Sequence, residues 1–425
     1  GVFCVSNFVI TGGSRLCGIV EVPGAKNSVL PVLAATLLNK GTSVLENCPE
    51  LDDVTTMLDI LKALGCNIRR KGSRIEVDAS QLTACSIPEE LAKKMRSSII
   101  ILGALLARCG EALLYYPGGC EIGLRPIDLH LNALRQMGAQ IDGISDGMLC
   151  CKAKKLTGCE ILLDYPSVGA TENIMLAASM AEGETIIQNA AKEPEIDDLQ
   201  AFLRKMGVNV TGAGTGVIRI QGAREIKSEP VHRIIPDRIV AGTYLAAAAA
   251  TGGSLVVTDV IYEHIGSILY CLKRCGCRIK SYSGNVIALE STGSLNALDL
   301  VRTSPYPGFP TDMQPQLVAL LSKCKGTSVV VETVFENRFR YTEQLKKLGA
   351  DISVQGRTAI IRGTDRLKGA QLEARDLRGG AALVIGALSA EGTSTVSGVS
   401  HIDRGYERME KVLASIGADI KRVES

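Results

Sequence analysis

Six short polar stretches precede strongly apolar runs, and several of them carry a cation where a helix should begin. They are Gly24-Ala25-Lys26-Asn27, Met95-Arg96-Ser97-Ser98, Ser167-Val168-Gly169-Ala170, Pro236-Asp237-Arg238, Pro310-Thr311-Asp312-Met313 and Asp376-Leu377-Arg378-Gly379. The runs that follow, such as 29–38 and 383–388, are apolar on every face. A helix of that kind is buried. Its N-terminus presents unpaired N–H groups and a partial positive charge, which together suit an anion. Lys26, Arg96 and Arg378 oppose the helix dipole by ~0.3–1 kcal/mol each. Such a local conflict is expected at an anion site more than in plain scaffold. Ser167, Asp237, Thr311 and Asp376 are also acceptable N-caps, so capping alone is the alternative reading at each start.

Loops supply a second set: Gly118-Gly119-Cys120-Glu121-Ile122-Gly123-Leu124-Arg125-Pro126, Glu193-Pro194-Glu195, Glu336-Asn337-Arg338 and His401-Ile402-Asp403-Arg404. Cys120 stands in a glycine-rich, proline-bounded loop, away from any apolar periodic segment. Glycines there permit hinge-like changes of backbone angle, as in a lid. Arg125 and a bound anion's cationic shell would move the thiol from its reference pKa of ~8.5. The alternative is a free surface thiol. The other cysteines, of 14 in all, sit mostly in apolar segments and read as small hydrophobes. No CxxC occurs, and Cys271, Cys275 and Cys277 lack a nearby histidine cluster, so no metal site is expected.

The elements that must position these residues show as an internal repeat. Leu61-Lys62-Ala63-Leu64-Gly65-Cys66-Asn67-Ile68 returns at 134–141, 203–210, 272–279, 345–352 and 413–420. Each copy reads as a helix stopped by a C′ glycine and followed by a strand. The glycines are Gly65, Gly138, Gly207, Gly276, Gly349 and Gly417, spaced 73, 69, 69, 73 and 68 apart. A second signature, Asn39-Lys40-Gly41-Thr42-Ser43-Val44-Leu45, alternates with the first and recurs at 108–114, 182–187, 251–257, 324–330 and 391–396. Six units result, each reading helix, strand, loop, helix, strand, turn, strand. Unpreceded strands at 8–11 and 16–22 are placed to complete the last unit. The expected fold class is therefore α/β, in two domains of three units. One covers 22–235 and carries the Cys120 loop; the other joins 1–21 to 236–425. Two faces, each with three helix ends, would make a cleft suited to phosphate.

Composition removes several classes of function. The 425 residues are 46% hydrophobic and 22% charged, too apolar for a disordered chain. A net charge of +2, with six Phe, ten Tyr and no Trp, gives no reason to expect nucleic acid. The apolar runs fall far short of the ~20 residues of a membrane span. Gly1-Val2-Phe3-Cys4 lacks a signal-peptide pattern. Cysteine usage points to a reducing cytoplasm.

Four stretches together resemble the UDP-N-acetylglucosamine enolpyruvyl transferase family. They are 24–27, the loop 117–130, Pro310-Thr311-Asp312-Met313-Gln314, and His401-Ile402-Asp403-Arg404-Gly405-Tyr406-Glu407. The resemblance covers essentially the whole chain. It implies two inside-out α/β barrel domains of three repeats each, with the active site in the cleft between them. It implies a bacterial enzyme that transfers the enolpyruvyl group of phosphoenolpyruvate to the 3-hydroxyl of UDP-N-acetylglucosamine, releasing phosphate. That is the first committed step of peptidoglycan synthesis. No cofactor and no metal are implied.

By the same resemblance, Cys120 is the acid for the methylene carbon and can form a covalent adduct, including one with the epoxide fosfomycin. Asp312 is the base or orienting group for the sugar hydroxyl. Lys26, Asn27, Arg96, Arg125 and Arg404 surround phosphoenolpyruvate, with Lys26 and Arg404 also catalytic. Asn27, Arg96, Arg125, Pro126, Ile127, Asp128, Leu129, Ser167, Val168, Gly169, Asp312 and Val334 are implied for the nucleotide sugar. Glu193, Asp237, Arg238, Arg338, Asp376 and Arg378 are implied in closure or support, each alternatively a structural ion pair. Two departures stand out. Tyr165 replaces a lysine common before the diphosphate strip, and Ile100 replaces an aromatic residue found in some members. A non-catalytic paralogue and the sister enzyme 5-enolpyruvylshikimate-3-phosphate synthase are the competing readings.

Overall fold

Six apolar helices form the centres of two hydrophobic cores. In the computed structural model the described residues are 6–115, 127–142 and 147–424, leaving aside the side chains of Arg96 and Ser97. One core surrounds Lys26–Thr36, Ile101–Cys109 and Val168–Ala178. The other surrounds Arg238–Ala250, Gln314–Leu321 and Leu377–Leu388. Every residue of Arg238–Ala250 is buried, as expected of a helix with no polar face. Small residues let such helices approach closely. Gly103 faces the Asn173 backbone, where an added Cβ would stand 2.2 Å from the carbonyl oxygen. At the six repeated glycines φ lies between 91° and 108°, the left-handed region that ends a helix with no steric penalty.

Sheets cover these helices, and they share one order. Thr327–Val331 pairs in parallel with the edge strand Leu300–Arg302, then antiparallel with Thr358–Arg362, which pairs antiparallel with Asp351–Gln355. The same arrangement recurs around Thr42–Glu46, Glu184–Gln188, Ser254–Thr258 and Thr393–Ser397. Around Glu111–Tyr115 the sheet has three strands among the described residues, and Ser86 forms an isolated parallel bridge to Leu113. Alternation explains which side faces inward. In Val217–Gln221, Ile218 and Ile220 are buried while Val217, Arg219 and Gln221 face out.

The first strand, Ser6–Thr11, lies between Thr393–Ser397 and Asp419–Glu424, with Ile10 opposite Ser394 and Ile420. It thus joins the last sheet. The second strand, Cys17–Glu21, does not. It runs parallel to Ser254–Thr258, with Val20 opposite Val257. That departs from the expectation that both strands complete one unit. Apolar content alone cannot choose between open sheet edges with the same pattern.

Chain contacts divide the described residues into two compact units, 24–115 with 127–235, and 6–23 with 236–424. No helix among the described residues is long and apolar enough to cross a membrane.

Candidate active site

In the unit containing 236–424, the polar centre is Asp312. It lies in a 3-10 turn, Thr311–Met313, ahead of the buried helix Gln314–Leu321. Arg338 Nη2 donates to Asp312 Oδ1 at 2.9 Å, and Arg378 Nη2 donates to Oδ2 at 3.2 Å. Both arginine side chains are at most 4% exposed, while the Asp312 side chain keeps 27%. Arg338 also donates from Nε and Nη2 to the Thr311 carbonyl. Thr311 is not the cap that its sequence position suggests. Its hydroxyl donates to Glu332 Oε2 at 3.0 Å.

Asp376 and Asp237 do cap their helices. Asp376 accepts from the N–H groups of Arg378 and Gly379, and Asp237 from those of Ile239 and Val240. Arg378 therefore stands in the first turn of its helix beside a capping carboxylate, and its guanidinium reaches Asp312. Burial alone would lower the Arg378 pKa, but Asp312, Tyr406 and Asp237 outweigh it and hold the group charged. The guanidinium lies 5.6 Å from the centre of the Tyr406 ring. The Tyr406 hydroxyl meets Thr243 Oγ1 at 2.8 Å and accepts from Gln316 Nε2 at 3.1 Å. Arg404 caps the short helix Val399–Asp403. Asp403, its last residue, is held bidentately by Arg422, at 2.8 and 2.7 Å. Arg238 stands over the Tyr306 ring at 5.7 Å.

In the other unit Lys26 is the first residue of its helix and is buried. Asp53 pairs with it at 2.5 Å, which offsets the helix-dipole conflict noted in the sequence. Asn27 follows in the same turn. Two residues on, the Ser28 hydroxyl donates to Asp198, which also accepts from His232 Nε2 at 2.9 Å. Ser167 caps Val168–Ala178 by accepting from the Ala170 N–H at 3.3 Å. Gly169 lies against the His130 ring, to which an added Cβ would come within 3.2 Å.

Asp128 and Leu129 open the helix Asp128–Gln136, with Ile127 at its cap position. His130 follows. Asn173 Nδ2 donates to its Nδ1 at 2.9 Å and to the Ile99 carbonyl, so Nδ1 is unprotonated. Burial pushes the His130 pKa down to about 4. Glu193 stands at the cap position ahead of the helix Pro194–Lys205. Near it, burial first and then Glu195 and Glu193 push the Glu172 carboxyl well above the ordinary range.

The structure thus gathers Asp312, Arg338, Asp376 and Arg378 into one ion-paired cluster. Lys26, Asn27, Ser167, Val168 and Gly169 stand at helix starts in the other unit. Cys120, Arg125 and Pro126 lie outside the described residues, as does the Arg96 side chain. Asp53, Glu332, Thr243, Gln316 and Asn173 carry the polar frame, and no motif singled them out. Glu332, an acid directly after the apolar strand Thr327–Val331, was the one with a visible signal. Among the described residues no group of three or more His, Cys, Asp or Glu could hold a metal ion. Tyr165 is 42% exposed and Ile100 is buried.

This fold and these sites define a class. Residues 10–413 match the EPSP synthase (3-phosphoshikimate 1-carboxyvinyltransferase) family. UDP-N-acetylglucosamine 1-carboxyvinyltransferase 2 of Caldanaerobacter subterraneus subsp. tengcongensis is 54% identical over 99% of this chain and all of its own length. UDP-N-acetylglucosamine 1-carboxyvinyltransferase 1 of Carboxydothermus hydrogenoformans is 49% identical over 99% of both chains. Among solved structures, the enolpyruvyl transferase NikO from Streptomyces tendae superposes with a TM-score of 0.90 at 26% identity, covering 99% of this chain and 100% of that one. The chain belongs to this 1-carboxyvinyltransferase family and, within it, groups with the UDP-N-acetylglucosamine 1-carboxyvinyltransferases.

Proposed function

We propose that the chain transfers the enolpyruvyl group of phosphoenolpyruvate to the 3-hydroxyl of UDP-N-acetylglucosamine, the committing step of bacterial cell-wall synthesis. The observation that carries this reading is full-length identity of 54% to an enzyme of that name. The Asp312 cluster supplies a role for it. Two buried guanidinium groups orient the carboxylate, which suits Asp312 to receive the sugar hydroxyl's proton.

In the reaction the sugar oxygen attacks C2 of phosphoenolpyruvate and its proton passes to Asp312. The methylene carbon takes a proton from the Cys120 thiol. Elimination reverses the second transfer: a methyl proton returns to the thiolate, the C2–O bond to phosphate breaks, and the leaving phosphate takes the proton held on Asp312. A thiol suits both steps because its pKa lies near neutrality. Lys26, Asn27, Arg96, Arg125 and Arg404 would hold the phosphate and carboxylate of phosphoenolpyruvate. Asn27, Arg96, residues 125–129, Ser167, Val168, Gly169, Asp312 and Val334 would hold the nucleotide sugar. Glu193, Asp237, Arg238, Arg338, Asp376 and Arg378 would support them. The chemistry needs neither metal nor cofactor.

The finer architecture belongs to the same reading: an inside-out barrel of six repeats, three in each domain, with boundaries at 22 and 235. The shared sheet order and the six left-handed glycines support it. A cytoplasmic setting fits the twelve described cysteines, all free. Phosphate release with both substrates tests the reaction. Release that requires UDP-N-acetylglucosamine supports it, whereas turnover with shikimate 3-phosphate instead, or none with either, overturns it.

A further inference from the structure

We infer that Glu332 is a positioning residue that ties the Asp312 turn to the Val334 loop, so that both meet the nucleotide sugar as one piece. This rests on the reading that Asp312 and Val334 face that sugar.

Glu332 is fully buried at the end of Thr327–Val331. Its Oε1 accepts from the Thr303 hydroxyl at 2.9 Å, the Val334 N–H at 2.8 Å and the Phe335 N–H at 3.3 Å. Its Oε2 accepts from the Thr311 hydroxyl at 3.0 Å. Among the described residues its donors are hydroxyl and amide groups, without a guanidinium or ammonium partner. A buried carboxylate costs free energy unless its oxygens are satisfied, and here four neutral donors from three segments do so. Those segments are strand end 303, turn 311 and loop 334–335. The turn and the loop each lie next to a residue assigned to the sugar.

Thr311 transmits the hold. Its hydroxyl is bound by Glu332 and its carbonyl by Arg338, so the peptide leading into Asp312 is fixed at both sides. Val334 is fixed through its own N–H. Removal of the Thr311 hydroxyl should free the turn from the loop without disturbing the other three bonds. Glu332→Gln should be far milder. Its single oxygen can keep Thr303, Val334 and Phe335, and the Thr311 hydroxyl can turn to accept from the new amide.

The test compares Thr311→Val and Glu332→Gln with the unmodified protein. Thr311→Val should weaken UDP-N-acetylglucosamine binding roughly tenfold by calorimetry. It should leave the KM for phosphoenolpyruvate within about twofold and the Tm within a few degrees. Glu332→Gln should bind the nucleotide sugar within about threefold of the unmodified protein. Unchanged nucleotide affinity in Thr311→Val overturns the inference, as do parallel losses for both substrates. Calorimetry reads the clamp even if phosphate release is absent, so failure of the reaction and failure of the clamp are told apart.

Discussion

Nη2 of Arg338 stands 2.9 Å from Oδ1 of Asp312, and the same guanidinium donates twice to the carbonyl of the preceding residue, Thr311. One buried side chain therefore orients both the carboxylate and the peptide that carries it. The planar fork is what makes this possible, since its donors diverge at fixed angles. A lysine in the same place is a point charge and cannot serve both acceptors with that geometry.

Arg338→Lys should accordingly separate positioning from charge. We expect kcat to fall at least tenfold while the fold persists, with about 1–3 kcal/mol lost from stability, because the pair is only partly desolvated at Asp312. Steady-state phosphate release and urea unfolding measure the two effects. Unmodified kcat in the lysine variant would show that the fork does not orient Asp312.

Gly103 marks a helix crossing with no room for a methyl group. Its N–H also donates to Asn173 Oδ1. In Gly103→Ala the Cβ would meet the Asn173 carbonyl oxygen, so the helices must part. Overpacking of this kind costs roughly 1–3 kcal/mol or more. The Tm should drop by several degrees, and a Tm equal to that of the unmodified protein would contradict the close approach.

His130 should make stability depend on pH below neutrality. Its pKa is about 4 in the folded protein against an ordinary 6.5, so it stays neutral when folded. Between those values the unfolded chain binds the extra proton, and stability falls as pH falls. At pH 5 the loss relative to pH 8 should be about 2 kcal/mol from this group. His130→Gln removes the titrating ring, and its pH-dependence in urea titrations should flatten by that amount. An unaltered slope would mean that His130 is not held neutral.

Glu172 works with the opposite sign. Burial, with Glu195 and Glu193 nearby, favours its protonated form in the fold. Such a group contributes stability below its unfolded value of 4.5 and loses that contribution as pH rises through the folded value. Glu172→Gln keeps the shape without the charge. It should stabilise the protein at pH 8 and change little at pH 4, as read by Tm at the two values. Destabilisation at pH 8 would count against a suppressed charge.

Thiol reactivity should divide by burial. Desolvation pushes Cys48, Cys66, Cys109, Cys151, Cys271 and Cys277 up to about 12. The thiolate is the nucleophile, so iodoacetamide at pH 7.5 should spare all six in the folded state. Cys17 is exposed and should label readily. Peptide mass mapping reports the order, and early modification of any of the six would refute it.

Much of the local structure was legible because it is encoded locally. The glycines at 65, 138, 207, 276, 349 and 417 ended helices in the left-handed region as their spacing suggested. Helices without a polar face, such as Arg238–Ala250, were buried on all sides. Asp237, Asp376 and Ser167 capped as their residue types allow. Thr311 broke this rule: it lies inside the 3-10 turn, and its hydroxyl donates to Glu332, a buried carboxylate 21 positions away.

What periodicity could not supply was pairing across the chain. Nothing in the spacing of 26 and 66 residues chooses Arg338 and Arg378 as the partners of Asp312. Nor does the strand Cys17–Glu21 announce that its neighbour is Ser254–Thr258. From its own residues the sequence determined which segments are helices and strands, where they stop, and which motifs mark a carboxyvinyltransferase. Tertiary structure alone decided which charges meet. Dihedral preference and side-chain period act over a few neighbouring residues, whereas an ion pair forms only after distant segments have packed and shed their water.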